Sequence, residues 1–348
     1  MKALPPEAKT VVEDTLIEHK AFVKAVKRLR QAFKYAHISP EPIGLALLGE
    51  SRSGKSRAVE ELEKDHPQTR NEEGAVVPIV RMVTPSNPAV GGMASLMLKE
   101  LGDPDWAKGS VAQLQGRLID MVKDCMVRMI VLEEFQHLVD SATQNVFYNV
   151  ANWLKTLVES TKVALVVCGL ESSLPVLLQD EQFTGRFGAP LFMPRFDWEE
   201  DDQREEFVAI LEGYNDAMAA YFKMPSLHGE DMSFRLWCAS GGLVGLLAKL
   251  LRQVVWNACD AERSVIKLSD FAAADAECTW RVYTKVVSKL PFEPEFVSEA
   301  TEELLEFGRG VGVRIEIPDQ TAESRLSARR RRAGAKRGES LAQVLSAT

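Results

Sequence analysis

Between residues 6 and 36, apolar side chains recur close to helical spacing at Val12, Leu16, Val23, Val26, Leu29 and Phe33, with Lys20, Lys24, Lys27, Arg28 and Lys34 between them. The spacing predicts an amphipathic helix or helix pair with a solvated basic side. The run His37-Ile38-Ser39-Pro40-Glu41-Pro42 then stops it, because each proline removes a donor and biases the preceding residue towards extended backbone. Four short apolar runs follow, over 43–48, 76–83, 129–132 and 163–168, each suited to a strand buried on both faces. Helical patterns lie between them at 56–64, 89–101, 110–127 and 145–160. This alternation predicts a three-layer α/β domain with a parallel sheet, to which Leu191-Phe192-Met193-Pro194 adds a candidate fifth strand. The pattern is then helical to about Leu290, over 199–219, 232–239, 243–258 and 268–287.

The expected organisation is an N-terminal helical segment over 1–40, an α/β domain over 41–197, a smaller helical lid over 198–290 and a C-terminal extension over 291–348. The extension holds a candidate helix at 295–307 and a tail too poor in apolar residues to pack, expected to be disordered. A chain of 348 residues supports a core without disulfide or metal staples. Its five cysteines, Cys125, Cys168, Cys238, Cys259 and Cys278, form no close pairs, and its five histidines lack ligand spacing. No stretch has the length to cross a bilayer, and Met1 to Lys9 does not read as a leader. A soluble protein of the reducing cytoplasm is therefore expected. Net charge is −8, yet residues 325–337 carry seven Lys/Arg and no acid, which leaves −15 on the remainder. Any nucleic-acid surface has to be local.

The chemistry concentrates at Gly49-Glu50-Ser51-Arg52-Ser53-Gly54-Lys55-Ser56, which follows an apolar strand and opens a helix. In that setting successive backbone N–H groups cradle phosphate. Lys55 would neutralise the β- and γ-phosphates of ATP, and Ser56 would coordinate Mg²⁺. A second element, Arg128-Met129-Ile130-Val131-Leu132-Glu133-Glu134, is an apolar strand ending in two carboxylates. Adjacent acids can divide the labour, Glu133 holding the magnesium shell and Glu134 polarising the attacking water. His137, one turn on, is a candidate to orient them but reads better as a partly buried structural residue.

In AAA+ proteins, which the chain resembles through these elements, an arginine between the fourth and fifth strands reaches a neighbouring subunit's ATP. Arg186 in Gly185-Arg186-Phe187 stands there, with Arg195 as runner-up. Leu170 occupies the place of a polar γ-phosphate sensor, with Glu171 or Ser172 as weak substitutes for an ordinary turn. The glycines of Gly241-Gly242-Leu243-Val244-Gly245 permit close approach at a helix start, but the arginine often found there is absent, and Lys249 is a weak substitute.

With these elements in order, residues 15–251 resemble the TniB/TnsC family of transposon AAA+ ATPases. The more specific points are the strand ending in Thr84-Pro85-Ser86 and the glycine-led helix. The resemblance implies ATP-dependent assembly of a homo-oligomeric ring or filament on double-stranded DNA without sequence preference. It also implies a TniQ-type target-selection protein and a transposase as partners. DNA contacts carried over from the family fall on Arg81, Thr84 and Lys99, and the basic tail is a second candidate for DNA or transposase. Glutamate at 133 in place of aspartate, and Leu170 in place of threonine, imply slow or DNA-stimulated hydrolysis. Two alternatives share the loop: a nucleotide-gated scaffold with negligible turnover, and a replication-initiator or helicase-loader relative. The latter would need a DNA-reading module for which the chain after Leu290 is short.

Overall fold

The apolar runs form a sheet because each side of each strand finds its own helical layer. The computed structural model describes residues 4–72, 74–140, 144–178, 185–279 and 289–312. Strands β1 (Gly44–Gly49), β4 (Ile79–Val83), β5 (Met129–Glu133), β6 (Ala164–Gly169) and β7 (Leu191–Met193) lie parallel in the order β4-β5-β6-β1-β7. Alternation sends Leu45, Leu47, Met129, Val131 and Val166 to one face. There they meet α2 (Lys20–Tyr35) and α3 (Lys55–Asp65). Ala46, Leu48, Ile130, Leu132 and Val167 go to the other face, beneath α4 (Val90–Glu100), α5 (Val111–Asp124) and α7 (Gln144–Thr161). This is the AAA+ three-layer α/β fold, with every strand ending at the same edge of the sheet.

Two expected elements divide. The run at 76–83 holds Pro78, and the chain splits there into a short hairpin of β2 (Thr69–Arg70) with β3 (Ala75–Val76) and the sheet strand Ile79–Val83. The amphipathic segment also breaks. A 3₁₀ turn at Pro6–Lys9 and α1 (Val11–Asp14) precede a non-helical stretch, and α2 restarts where His19 caps it by accepting from the Phe22 amide at 3.3 Å. Lys20, Lys24, Lys27, Arg28 and Lys34 on α2 are exposed, as a solvated basic side requires.

The second half is helical: α9 (Asp201–Ala219), α10 (Glu230–Ser240), α11 (Val244–Asp260), α12 (Leu268–Cys278) and α13 (Glu302–Gly310) follow the short α6 (Gln136–Asp140) and α8 (Leu174–Leu177) in chain order. They share one apolar cluster around Phe207, Leu211, Trp237, Leu251 and Phe271, and Ala8, Val11 and Val12 from the N-terminus join it. Residues 280–288 and 313–348, including the basic tail, lie outside the described residues, and Met1–Gly312 clusters as one compact unit. The expected helix at 295–307 starts later, at Glu302, where the Thr301 side chain caps it. Among the described residues no single helix is long and apolar enough to cross a membrane. The α10–α11 pair meets that test only in combination, bent by 110°.

Phe207 is fully buried and packs against Phe196 at 6.2 Å between ring centroids. Phe207→Ala is expected to cost about 3–5 kcal/mol through lost transfer and a residual cavity. A fall in the denaturation midpoint with unchanged slope checks this.

Candidate nucleotide-binding site

Strand β1 delivers the chain to a loop whose backbone turns left-handed at Gly49 (φ 151°), Arg52 (φ 66°) and Gly54 (φ 100°) before α3 begins at Lys55. A Cβ on Gly49 would stand 2.5 Å from the Met193 carbonyl, so β7 leaves room there for glycine alone. Gly54 provides no side-chain cap, so the N-terminal amides of α3 point into the loop with the positive end of the helix dipole. Lys55 Nζ lies inside the same curve, donating to the carbonyls of Gly49 at 2.8 Å and Glu50 at 2.6 Å. Burial lowers its pKa, opposed by Cys168, Glu134, Glu133 and Glu50. A triphosphate chain fits this cradle by charge and by backbone geometry. Ser56, second in the helix, is exposed.

The acid pair comes from the end of β5, two strands away. Glu134 has φ 50°, a left-handed conformation that turns its carboxylate out of the strand, and it is exposed. Its Oε2 accepts from Gln136 Nε2 at 2.5 Å, while Gln136 Oε1 accepts from the Leu170 amide at 3.2 Å. The buried Gln136 thus joins the second acid to the end of β6 and holds its orientation. No spacing rule marks it in the sequence. Leu170 takes part through its backbone, and Glu171 and Ser172 are exposed on a 3₁₀ turn.

Glu133 is differently employed. Its Oε1 accepts from Arg81 Nη2 at 2.8 Å and Nε at 3.1 Å, and Arg81 Nη1 reaches Glu63 of α3 at 2.9 Å. Parallel pairing of β4 with β5, which sets Val83 beside Glu133, brings the two side chains together. Arg81, whose side chain is partly exposed, is therefore engaged with two carboxylates of its own chain. Thr84 is fully buried, its hydroxyl without a partner among the described residues, and its carbonyl accepts from His137 Nδ1 at 2.8 Å. Its burial removes Thr84 from the expected set of DNA contacts. Lys99 is exposed, over the Trp106 ring at 5.5 Å. No cluster of three or more His, Cys, Asp or Glu able to hold a metal exists among the described residues. The donor set suits magnesium carried with phosphates, with Ser56 and one carboxylate of the pair beside them.

Arg186 stands at the opposite end of β1. Its carbonyl accepts from the Gly44 amide, and its guanidinium pairs with Glu159 of α7. Gly49 lies five residue steps along β1 from Gly44, roughly 16 Å, so Arg186 cannot reach the loop of its own chain. Arg195 is not a finger in this arrangement: it forms a two-pronged pair with Glu50 of the loop, at 2.7 Å on each oxygen. That bond, above all, holds the Glu50 carboxyl below its usual range. Lys249 donates to the Cys278 carbonyl at 2.6 Å, which removes it as a phosphate sensor.

A cavity of about 240 Å³ adjoins Gly54 and Arg57, walled by Val12, Leu16, Phe22 and Tyr214. Burial raises the Tyr214 phenol to about 12. The apolar walls suit a planar heterocycle attached to phosphates held by the loop. Sequence reasoning did not find this site, because its walls come from segments some two hundred residues apart and only helix docking assembles them.

The profile of the bacterial TniB protein family matches residues 7–198. The chain belongs to the TniB family. No match was found among the curated proteins compared. Among solved structures, Cdc6p from Pyrobaculum aerophilum is similar at 14% identity, covering 79% of this chain and 72% of that one with a TM-score of 0.58. ORC2 of Aeropyrum pernix, solved in ADPNP-ADP complexes, has 14% identity, coverage of 77% and 71% and a TM-score of 0.55. ORC1 of the same organism, solved in complex with DNA, has 17% identity, coverage of 77% and 69% and a TM-score of 0.53. At such identity the likeness is one of fold, and it is that of the AAA+ ATPases.

Proposed function

We propose that this TniB-family protein is an ATP-dependent regulator of DNA transposition. It assembles on double-stranded DNA without reading sequence, links a TniQ-type target-selection protein to the transposase, and disassembles when it hydrolyses ATP. ATP sits with its phosphates in the loop from Gly49 to Ser56 and its base in the cavity beside Gly54. Lys55 neutralises phosphate, Ser56 and Glu133 hold Mg²⁺, and Glu134 takes the proton of the attacking water. The observation that carries the reading is the opposition of the loop and Arg186 at the two ends of β1. A finger roughly 16 Å from its own loop is useful only to a neighbour in an assembly.

Two variants test it together. Arg186→Ala keeps the loop and loses the finger, while Lys55→Ala keeps the finger and loses the loop. Each alone is expected to show no DNA-stimulated hydrolysis, and an equimolar mixture to regain part of it, since one variant's Arg186 serves the other's nucleotide. A mixture as inactive as its components would sink the assembly reading. Electron microscopy with duplex DNA and a slowly hydrolysed ATP analogue should show ordered rings or filaments that high salt dissolves.

The ion pair between Arg81 and Glu133 favours a second reading, a scaffold in which binding drives assembly and turnover is negligible. A carboxylate already neutralised by a fixed guanidinium is a weaker magnesium ligand. The separation of the two readings rests on Glu134.

A further inference from the structure

We propose that Arg195 is a positioning residue that latches the glycine turn before α11 onto the phosphate-binding loop, so that the helical half follows the state of the loop. The inference deepens the nucleotide-site reading and rests on it. Arg195 directly follows β7 and Pro194, and its side chain is 15% exposed. Besides its fork on Glu50, Nη1 donates to the Gly241 carbonyl at 2.7 Å and Nη2 to the Val311 carbonyl at 2.9 Å. One guanidinium thus ties the second residue of the loop, the end of α10 and the residue after α13. A planar donor fork suits such a junction, where an ammonium would serve only one partner at a time.

A second link runs beside it. The Gly245 amide donates to the Arg52 carbonyl at 2.8 Å, and Arg52 is the non-glycine residue that the loop holds at φ 66°. The two ends of the turn therefore contact alternate residues of one short loop, Glu50 through Arg195 and Arg52 directly. The glycines follow from that approach. A Cβ on Gly241 would stand 2.5 Å from Arg195 Nη1, and one on Gly245 would meet the Arg52 carbonyl at 2.6 Å and its Cβ at 2.8 Å. No arginine on α11 is needed to couple the halves, because the coupling arginine comes from the sheet side. Phosphate drawn into the loop reorients the peptide groups of Glu50 to Arg52, and both links pass that change to α11.

The test is hydrogen exchange on the full chain, with and without ATP and Mg²⁺, comparing wild type with Glu50→Gln and Gly245→Ala. Glu50→Gln leaves the loop glycines and Lys55 whole and removes the charge that Arg195 grips. Gly245→Ala leaves every charge in place and forces the turn off Arg52. Without nucleotide, amides of residues 241–246 are expected to exchange about tenfold faster in either variant, the loss of one charge-assisted or steric anchor. In wild type ATP should slow the same amides, and in the variants it should not. Unchanged exchange at 241–246 in both variants without nucleotide would overturn the latch. Because that comparison needs no ATP, it is independent of the nucleotide reading, which fails separately if wild type shows no ATP binding by calorimetry. Equal thermal midpoints for Glu50→Gln and wild type exclude misfolding as the cause, and Gly245→Ala provides the second arm if the first does not fold.

Discussion

Lys55→Ala is expected to weaken ATP binding by about 10²–10³-fold and to abolish hydrolysis with it. The fold places the ammonium within the curve of the loop, bonded at 2.8 and 2.6 Å to loop carbonyls and partly buried. Losing a charge-assisted contact to phosphate in a partly dehydrated site costs about 3–4 kcal/mol, which is that fold-change. Burial already lowers the lysine's pKa, so the charged state is held by the carboxylates of Glu134, Glu133 and Glu50 and, on binding, by phosphate. Calorimetric titration with ATP and Mg²⁺ checks the prediction. The thermal midpoint without nucleotide should stay near that of wild type. An unchanged dissociation constant would mean that the loop does not bind phosphate.

What the sequence made legible follows how local each feature is. The loop motif is contiguous, and its setting between an apolar strand and a helix needs only the two neighbouring elements. The alternation of short apolar runs with helical periods specified a parallel sheet, because strands buried on both faces have no polar side to display. Failures came where local pattern was ambiguous. Val76 to Val83 looks like one strand because its apolar content is continuous, but Pro78 cannot donate in a ladder and the chain re-pairs on either side of it. The N-terminal stretch kept a helical period through Thr15–His19, yet Val11 and Val12 pack with the helical half and Phe22 to Phe33 with the sheet. One straight helix cannot serve both.

The site divides along the same line. Arg81 lies where a DNA contact was expected, but the register of β4 on β5 decides that its guanidinium meets Glu133. Arg195, Gln136 and the walls of the cavity beside Gly54 depend on docking across long sequence separation. The glycines at 241 and 245 carried a readable signal of close approach, though not its target.

Glu134→Gln is expected to lower the hydrolysis rate by about 10²–10³-fold while leaving ATP affinity within a few-fold of wild type. The exchange is nearly isosteric, and an amide oxygen can still accept from Gln136 Nε2, so the left-handed turn at φ 50° and the link to the Leu170 amide both survive. On the proposed mechanism, what is lost is the base that takes a proton from water at the γ-phosphate. If hydrolysis drives release, this variant should bind DNA with ATP and remain assembled long after wild type has dissociated, read as a light-scattering decay. Under the scaffold reading the two proteins should decay alike, since turnover never contributed. Glu133→Gln provides the contrast. Removing the charge that Arg81 grips should disturb magnesium dependence as well as rate, whereas Glu134→Gln should change the rate alone. A Glu134→Gln protein that hydrolyses ATP at the wild-type rate would shift the base to another group and leave Gln136 without a catalytic partner to orient.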